Sequence, residues 1–215
     1  IFQTIMDFVD LYNETIAKIN SELNEERYRD YDPLTDTERE ELDEDQIEKW
    51  TEKAKSGLLK SDTILTGIVG ELRSDVYGFV DGLSSDYDSL ADLGITTGDY
   101  TEQGKLYVDE EELRAAIEAD PEAIQKLFTA TSDDGNDKNE GIAVRLYNDV
   151  LNGISNITEK AGAETDYSLV DNSVIGKRIK DIDERIEDYE DKLELIEERY
   201  WNQYTALEEA INTLN

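Results

Sequence analysis

The chain has 215 residues, of which 35% are charged and 38% apolar, and its 54 acidic against 21 basic side chains give a net charge of −33. Such an excess repels phosphate backbones and anionic bilayer surfaces, so it argues against nucleic acid or lipid headgroups as partners. With neither cysteine nor histidine, disulfides, thiolate chemistry, Cys-zinc sites and histidine-based triads fall away. No apolar run approaches the roughly 20 residues of a membrane span.

The first segment, 1–29, reads as a long helix. Phe2, Ile5, Val9, Tyr12, Ile16, Ile19 and Leu23 step by three and four, a heptad-like seam. No basic-then-apolar leader precedes it, and a chain that opens inside a periodic pattern reads as part of a longer protein. A charged connection with Pro33 follows. The string TDTE then offers a capping box, Thr35 with Glu38, for a helix over 33–57 that carries Leu42, Ile47, Trp50 and Ala54 and stops near Gly57.

The next helix, 61–80, is capped by Ser61 or Asp62 and has a wide apolar face of Ile64, Leu65, Ile68, Val69, Leu72 and Val76. A face that broad is buried against several neighbours, as in a bundle. Gly67 and Gly70, three apart, either allow close approach of another helix or are simply tolerated within this one. Over 94–108 the period changes to two around Ile95, Thr97, Leu106 and Val108, with Gly98 and Gly104 between, which reads as a β-hairpin. Short helices fill 109–130, capped by Asp109 and then by Asp120 with Pro121 at the first helical position.

Thr131–Gly141 is polar and reads as a mobile loop. Its SDDGNDKNEG string fails the calcium-loop spacing, because no register starting at Asp133 or Asp134 puts oxygen ligands and glycine where that loop needs them. A helix over 142–160 carries Ala143, Tyr147, Val150, Ile154 and Ile157 at heptad spacing, a face widened by Leu146 and Leu151. The last helix, 173–215, is capped by Asn172 or Ser173 and would extend about 65 Å. Two glycosylation triplets, at Asn13 and Asn156, fall inside these helices.

The final helix carries the most informative pattern. Ile175, Ile179, Ile182, Ile186, Tyr189, Leu193, Ile196, Tyr200 and Leu207 form a coiled-coil seam. The g positions Arg178, Arg185 and Lys192 are basic, and the e positions Asp183, Glu190 and Glu197 are acidic. In a parallel pair each g meets the following e of its partner, so all three contacts would attract. Within the chain, candidate partner seams are Ile5, Val9, Tyr12, Ile16, Ile19 and Leu23, and Tyr147, Val150, Ile154 and Ile157. Intrachain packing is the first expectation and homotypic pairing the second. The expected fold is mainly α, a long-helix antiparallel bundle or coiled coil with one small β-hairpin insertion. Carboxylates on solvated helix faces give no catalytic, cofactor or metal constellation, so the chain is not expected to be an enzyme.

Several strings, in order, resemble one family. PLTDTEREELDEDQIEKWTEKAKSGLLKSDTIL (Pro33–Leu65), LADLGITTGDYTEQGKLYVDEEELRAAIEADPEAIQKLF (Leu90–Phe128), FVDLYNETI near the start, and IGKRI and RYWNQYTALEEAINTLN near the end are similar to flagellar filament cap proteins (flagellar hook-associated protein 2). The resemblance implies one helical stem domain over 1–215, with the family's outer domains and a further N-terminal stem helix lying outside this sequence. It implies a homo-oligomeric ring at the filament tip, flagellin as partner, and help with flagellin folding and insertion. It further implies an extracellular location reached through the flagellar export apparatus without a cleaved signal peptide. Some members act as surface adhesins, and a non-flagellar coiled-coil scaffold is what the heptads alone would support.

Overall fold

A computed structural model describes residues 1–83, 86–132, 137–163 and 171–214. In chain order the elements are α1 (Phe2–Asn24), α2 (Asp36–Glu40), α3 (Glu44–Lys55), α4 (Thr63–Tyr77), β1 (Ile95–Thr97), β2 (Leu106–Val108), α5 (Glu110–Ala119), α6 (Pro121–Thr129), α7 (Ile142–Ala161) and α8 (Val174–Leu214). The protein is mainly α with one small antiparallel hairpin. The chain divides into two units, Ile1–Ile154 and Ser155–Asn215, with α7 contributing to both.

In the first unit α1 packs on α4, β2 and α5. Ile5, Val9, Tyr12 and Ile16 of α1 meet Ile68, Val69, Leu72 and Val76 of α4 in one core. The deepest part of that core comes from short elements: Leu90, Leu93, Ile95, Leu113, Ile124, Leu127 and Ile142 are almost wholly buried. The hairpin pairs Ile95 with Val108, Thr96 with Tyr107 and Thr97 with Leu106. Its inner residues Ile95 and Leu106 reach the core, while Tyr107 stays outside.

Helix starts are set by side chains that satisfy amides left open at a first turn. The Thr35–Glu38 capping box is present, with the Thr35 amide donating to Glu38 Oε2 at 2.8 Å. The helix expected over 33–57 is nevertheless two helices. Asp43 forms a second capping box with Gln46, whose amide donates to Asp43 Oδ1 at 2.9 Å. That local bond competes with continuing α2. Asp62, rather than Ser61, caps α4 through the amides of Ile64 and Leu65. Asp109 and Asp120 cap α5 and α6. A Cβ built on Gly67 or Gly70 meets nothing within 4 Å, so these glycines do not serve a close helix approach.

The connection from α1 to α2 is pinned to α3. Arg27 Nη1 donates to the carbonyls of Ala54 and Ser56, at 2.9 and 3.2 Å, closing the C-terminal end of α3. Trp50 Nε1 donates to the Asp32 carbonyl at 2.8 Å and its ring packs 4.6 Å from Tyr31.

In the second unit α7 ends at Gly162, which has φ +84°. Ser173 Oγ accepts from the Gly176 amide at 2.9 Å and starts α8. Asp171 accepts from the Ser173 amide, and that bond holds its carboxyl below the usual aspartate range. A Cβ at Gly176 would lie 2.3 Å from the Asp171 carboxyl carbon, so a larger residue there would displace the Asp171 side chain. Asp133 and Asp134 of the expected calcium-like string lie outside the described residues.

Candidate assembly surface

Val174–Leu214 is one helix, and a helix of that length keeps residues three and four apart on one stripe. From Ile175 to Leu207 the seam side chains are 39–59% exposed. Trp201 and Tyr204, beside its far end, are more exposed still. Arg178, Arg185 and Lys192 flank one side of the stripe and Asp183, Glu190 and Glu197 the other, by register. Lys180 pairs with Glu184 at 3.6 Å on the outer face, and Lys192 lies 5.1 Å over the Tyr189 ring.

The two expected partner seams have different fates. On α1, Ile5, Val9, Tyr12 and Ile16 are buried and Ile19 and Leu23 partly buried, all within the first unit's core. Their cover is α4, β2 and α5. On α7 the expected seam, Tyr147, Val150, Ile154 and Ile157, is exposed. The face α7 buries is Ile142, Arg145, Leu146 and Gly153. Glycine at 153 is what permits this, because a Cβ there would sit 2.8 Å from the Ile68 side chain.

Two arrangements carry polar groups into the first unit. Asn13 bridges α1 to the free edge of β2: its Nδ2 donates to the Leu106 carbonyl at 2.9 Å and its Oδ1 accepts from the Leu106 amide at 2.8 Å. The side chain thereby stands in for a third strand, and the Asn13 amide nitrogen is engaged in the fold. Second, Arg145 of α7 closes the C-terminal end of α4. Its Nη2 donates to the Asp75 carbonyl at 3.1 Å and its Nη1 to the Phe79 carbonyl at 3.4 Å. Its Nε stands 4.0 Å from Asp75 Oδ1, and both this Nε and Asp75 Oδ2 are buried without a hydrogen-bonding partner. Burial, then the neighbouring Asp149 carboxylate, push the Asp75 carboxyl up to about 7. The Tyr12 hydroxyl is also buried without a partner, and burial pushes its ionisation well above the usual tyrosine range.

Sequence reasoning missed Asn13, Asp75 and Arg145. The readable signal for Arg145 was its place on the 142–146–149–153 face of α7, an arginine in an otherwise inward-facing line. Asn13 offered none, since its partner is 93 residues away.

Among the described residues no group of three histidine, cysteine, aspartate or glutamate side chains could hold a metal ion, and no helix is long and apolar enough to cross a membrane. Fold and surface define a helical protein with a capped, hairpin-braced core and a long helix that displays a heptad stripe. The chain belongs to the flagellar hook-associated protein 2 family: the model of that family's C-terminus matches residues 1–215. It is 37% identical over 233 residues to flagellar hook-associated protein 2 of Halalkalibacterium halodurans, covering 100% of this chain and 43% of that protein. To the protein of the same name from Thermotoga maritima it is 27% identical over 229 residues, covering 100% of this chain and 31% of that one. The chain thus spans less than half the length of either relative. A crystal structure of the flagellar cap protein FliD D1-D2-D3 domains from Escherichia coli aligns with 74% of this chain and 32% of its own, at 26% identity and a TM-score of 0.44.

Proposed function

We propose that this chain is the helical C-terminal part of a protein that caps the distal tip of the bacterial flagellar filament. There it acts extracellularly, without catalysis, promoting the folding and insertion of flagellin as a homo-oligomer. It reaches the tip through the flagellar export apparatus. Membership of the flagellar hook-associated protein 2 family supports the role. The observation that carries the mode of action is the α8 stripe, whose large apolar side chains from Ile175 to Leu207 stand exposed along one helix. An exposed stripe of that length is a contact surface.

The stripe closes in the assembled cap against a helix of a neighbouring molecule. The sorted charges favour a parallel second copy, in which Arg178, Arg185 and Lys192 meet Asp183, Glu190 and Glu197 of the neighbour. Complementation tests the role: the full-length protein carrying this segment restores filaments to a strain lacking its cap. Flagellin shed into the medium despite expression and export of the protein would refute it. Light scattering coupled to size exclusion tests the pairing. A dimer that dissociates when Ile186 and Leu193 are both replaced by Asp supports it, and a monomer at high concentration refutes it.

A further inference from the structure

α4 and α7 are joined where the C-terminal end of α4 meets the first turns of α7. The carbonyls of a helix's last turn have no partner within the helix. Arg145 supplies two donors there, to the carbonyls of Asp75 and Phe79. The Arg145 side chain is 9% exposed and that of Asp75 14%. The guanidinium spends both terminal nitrogens on carbonyls, which leaves its Nε 4.0 Å from Asp75 Oδ1, beyond hydrogen-bonding distance. The Asp75 carboxylate is therefore close to a cation yet accepts nothing from it.

Asp75 Oδ2 faces the same difficulty. It is buried without a donor, and the side chain that interacts with this carboxyl from α7 is another carboxylate, Asp149. Two ionised carboxylates have only acceptors to offer each other, whereas one shared proton supplies the missing donor. A cavity of about 400 Å³ opens beside the pair, lined by Asp75, Glu140, Arg145, Asn148, Asp149 and Asn152 with Leu151. Solvent can thus reach the site to give or take that proton.

We propose that Asp75, Asp149 and Arg145 form a proton-locked clamp between α4 and α7, closed while the carboxyl pair holds one proton and loosened when both acids are ionised.

Most of the surrounding charges favour the proton. Glu71 on α4 favours the protonated acid together with Asp149, and Arg145 opposes them. Glu140, just before α7, adds a further acid to the cavity wall. From α1 the neighbour is the Tyr12 phenol, which stays neutral, with Arg73 and Tyr77 of α4 close to it. Asp75 also sits in the last turn of α4, where the helix presents partial negative charge. With the Asp75 carboxyl raised from 3.8 to about 7, the proton's contribution is complete below about pH 4. It declines as pH rises toward 7 and is absent above that. Because α7 runs on from this clamp into the second unit, the proton governs how firmly the shared helix is held at its start.

The experiment is carboxyl-carbon NMR titration of the intact chain, combined with amide exchange at pH 5 and pH 8 corrected for intrinsic rates. The Asp75 midpoint is expected near neutrality. Amides of 72–77 and 145–152 should lose protection by roughly three- to tenfold per pH unit between about 5 and 7, while those of Ile124 and Leu127 stay constant. D75N should abolish this dependence and remain protected at pH 8, and D149N should return Asp75 toward the ordinary carboxylate range. An Asp75 midpoint near 4 in the unmodified chain overturns the clamp. So does protection at 72–77 that is the same at both pH values, and these readouts stand even if neither variant folds.

Discussion

Replacing Asn13 with Ala tests whether a side chain can serve as the missing strand of a two-stranded sheet. The variant strips the Leu106 amide and carbonyl of partners now held at 2.8 and 2.9 Å. Leu106 is buried, and a buried backbone group left unsatisfied costs about 1–3 kcal/mol. The site is only partly closed to water, so about 3 kcal/mol for the pair is a reasonable gross figure. Alanine returns about 0.6 kcal/mol of helix propensity to α1, which leaves a net loss of about 2 kcal/mol. Urea unfolding should show a lower midpoint at unchanged slope, and the Leu106 amide should lose its exchange protection first. N13D keeps the acceptor and turns the donor into a second acceptor facing the Leu106 carbonyl. Its deficit relative to wild type should be at least as large at pH 7 and shrink as the introduced carboxyl gains a proton toward pH 4. If both variants unfold within about 0.5 kcal/mol of wild type and hairpin protection persists, Asn13 is not the brace described here.

Ile124→Ala, at a fully buried core position, should cost about 2–5 kcal/mol in the same assay. A smaller loss would mean the core around α6 collapses freely. Tyr12→Phe removes a buried hydroxyl that has no partner, so it should be neutral or slightly stabilising, and a loss above about 1 kcal/mol would reveal a partner for that oxygen. Ultraviolet titration should likewise find one tyrosine that resists ionisation well above pH 10 and is missing in Tyr12→Phe. Gly141→Ala would put a Cβ 2.4 Å from the Phe128 carbonyl carbon. Backbone must then move, and thermal unfolding should show a loss of about 1–3 kcal/mol or more.

The periodicity of Ile5, Val9, Tyr12 and Ile16 revealed the correct buried face of α1, but not what covers it. A three-four spacing fixes which side of a helix is apolar, and a bundle, a coiled coil or a mixed layer of hairpin and short helices satisfies it equally. The cover proved to be α4, β2 and α5. On α7 the same reasoning centred the apolar face on Tyr147 and Ile154, with Leu146 at its margin, whereas the core takes Leu146 together with Ile142 and Arg145. There, Ile68 packs against Gly153. Short-range signals were legible because their partners are adjacent, as with Thr35 and Glu38 or Asp120 and Pro121. The break at Asp43 has equally local causes and could have been read from Asp43 and Gln46. Asn13 with Leu106 and Asp75 with Arg145 depend on contacts that only the assembled core brings about. The exposed state of the α8 stripe also follows from no local pattern, since a seam looks the same with or without a partner.

The aspartates that begin helices separate two roles that the net charge merges. Asp43, Asp62, Asp109 and Asp120 each accept from the amides of a first helical turn, and asparagine can accept the same bonds without the charge. A charge-reduced redesign could therefore begin at these four positions and keep the helix starts intact. Asp171, whose ionised carboxyl is favoured by its bond to the Ser173 amide, offers the contrasting control at the start of α8. The acidity of this chain is thus open to editing residue by residue, and its tolerance for lost charge can be measured apart from its tolerance for lost structure.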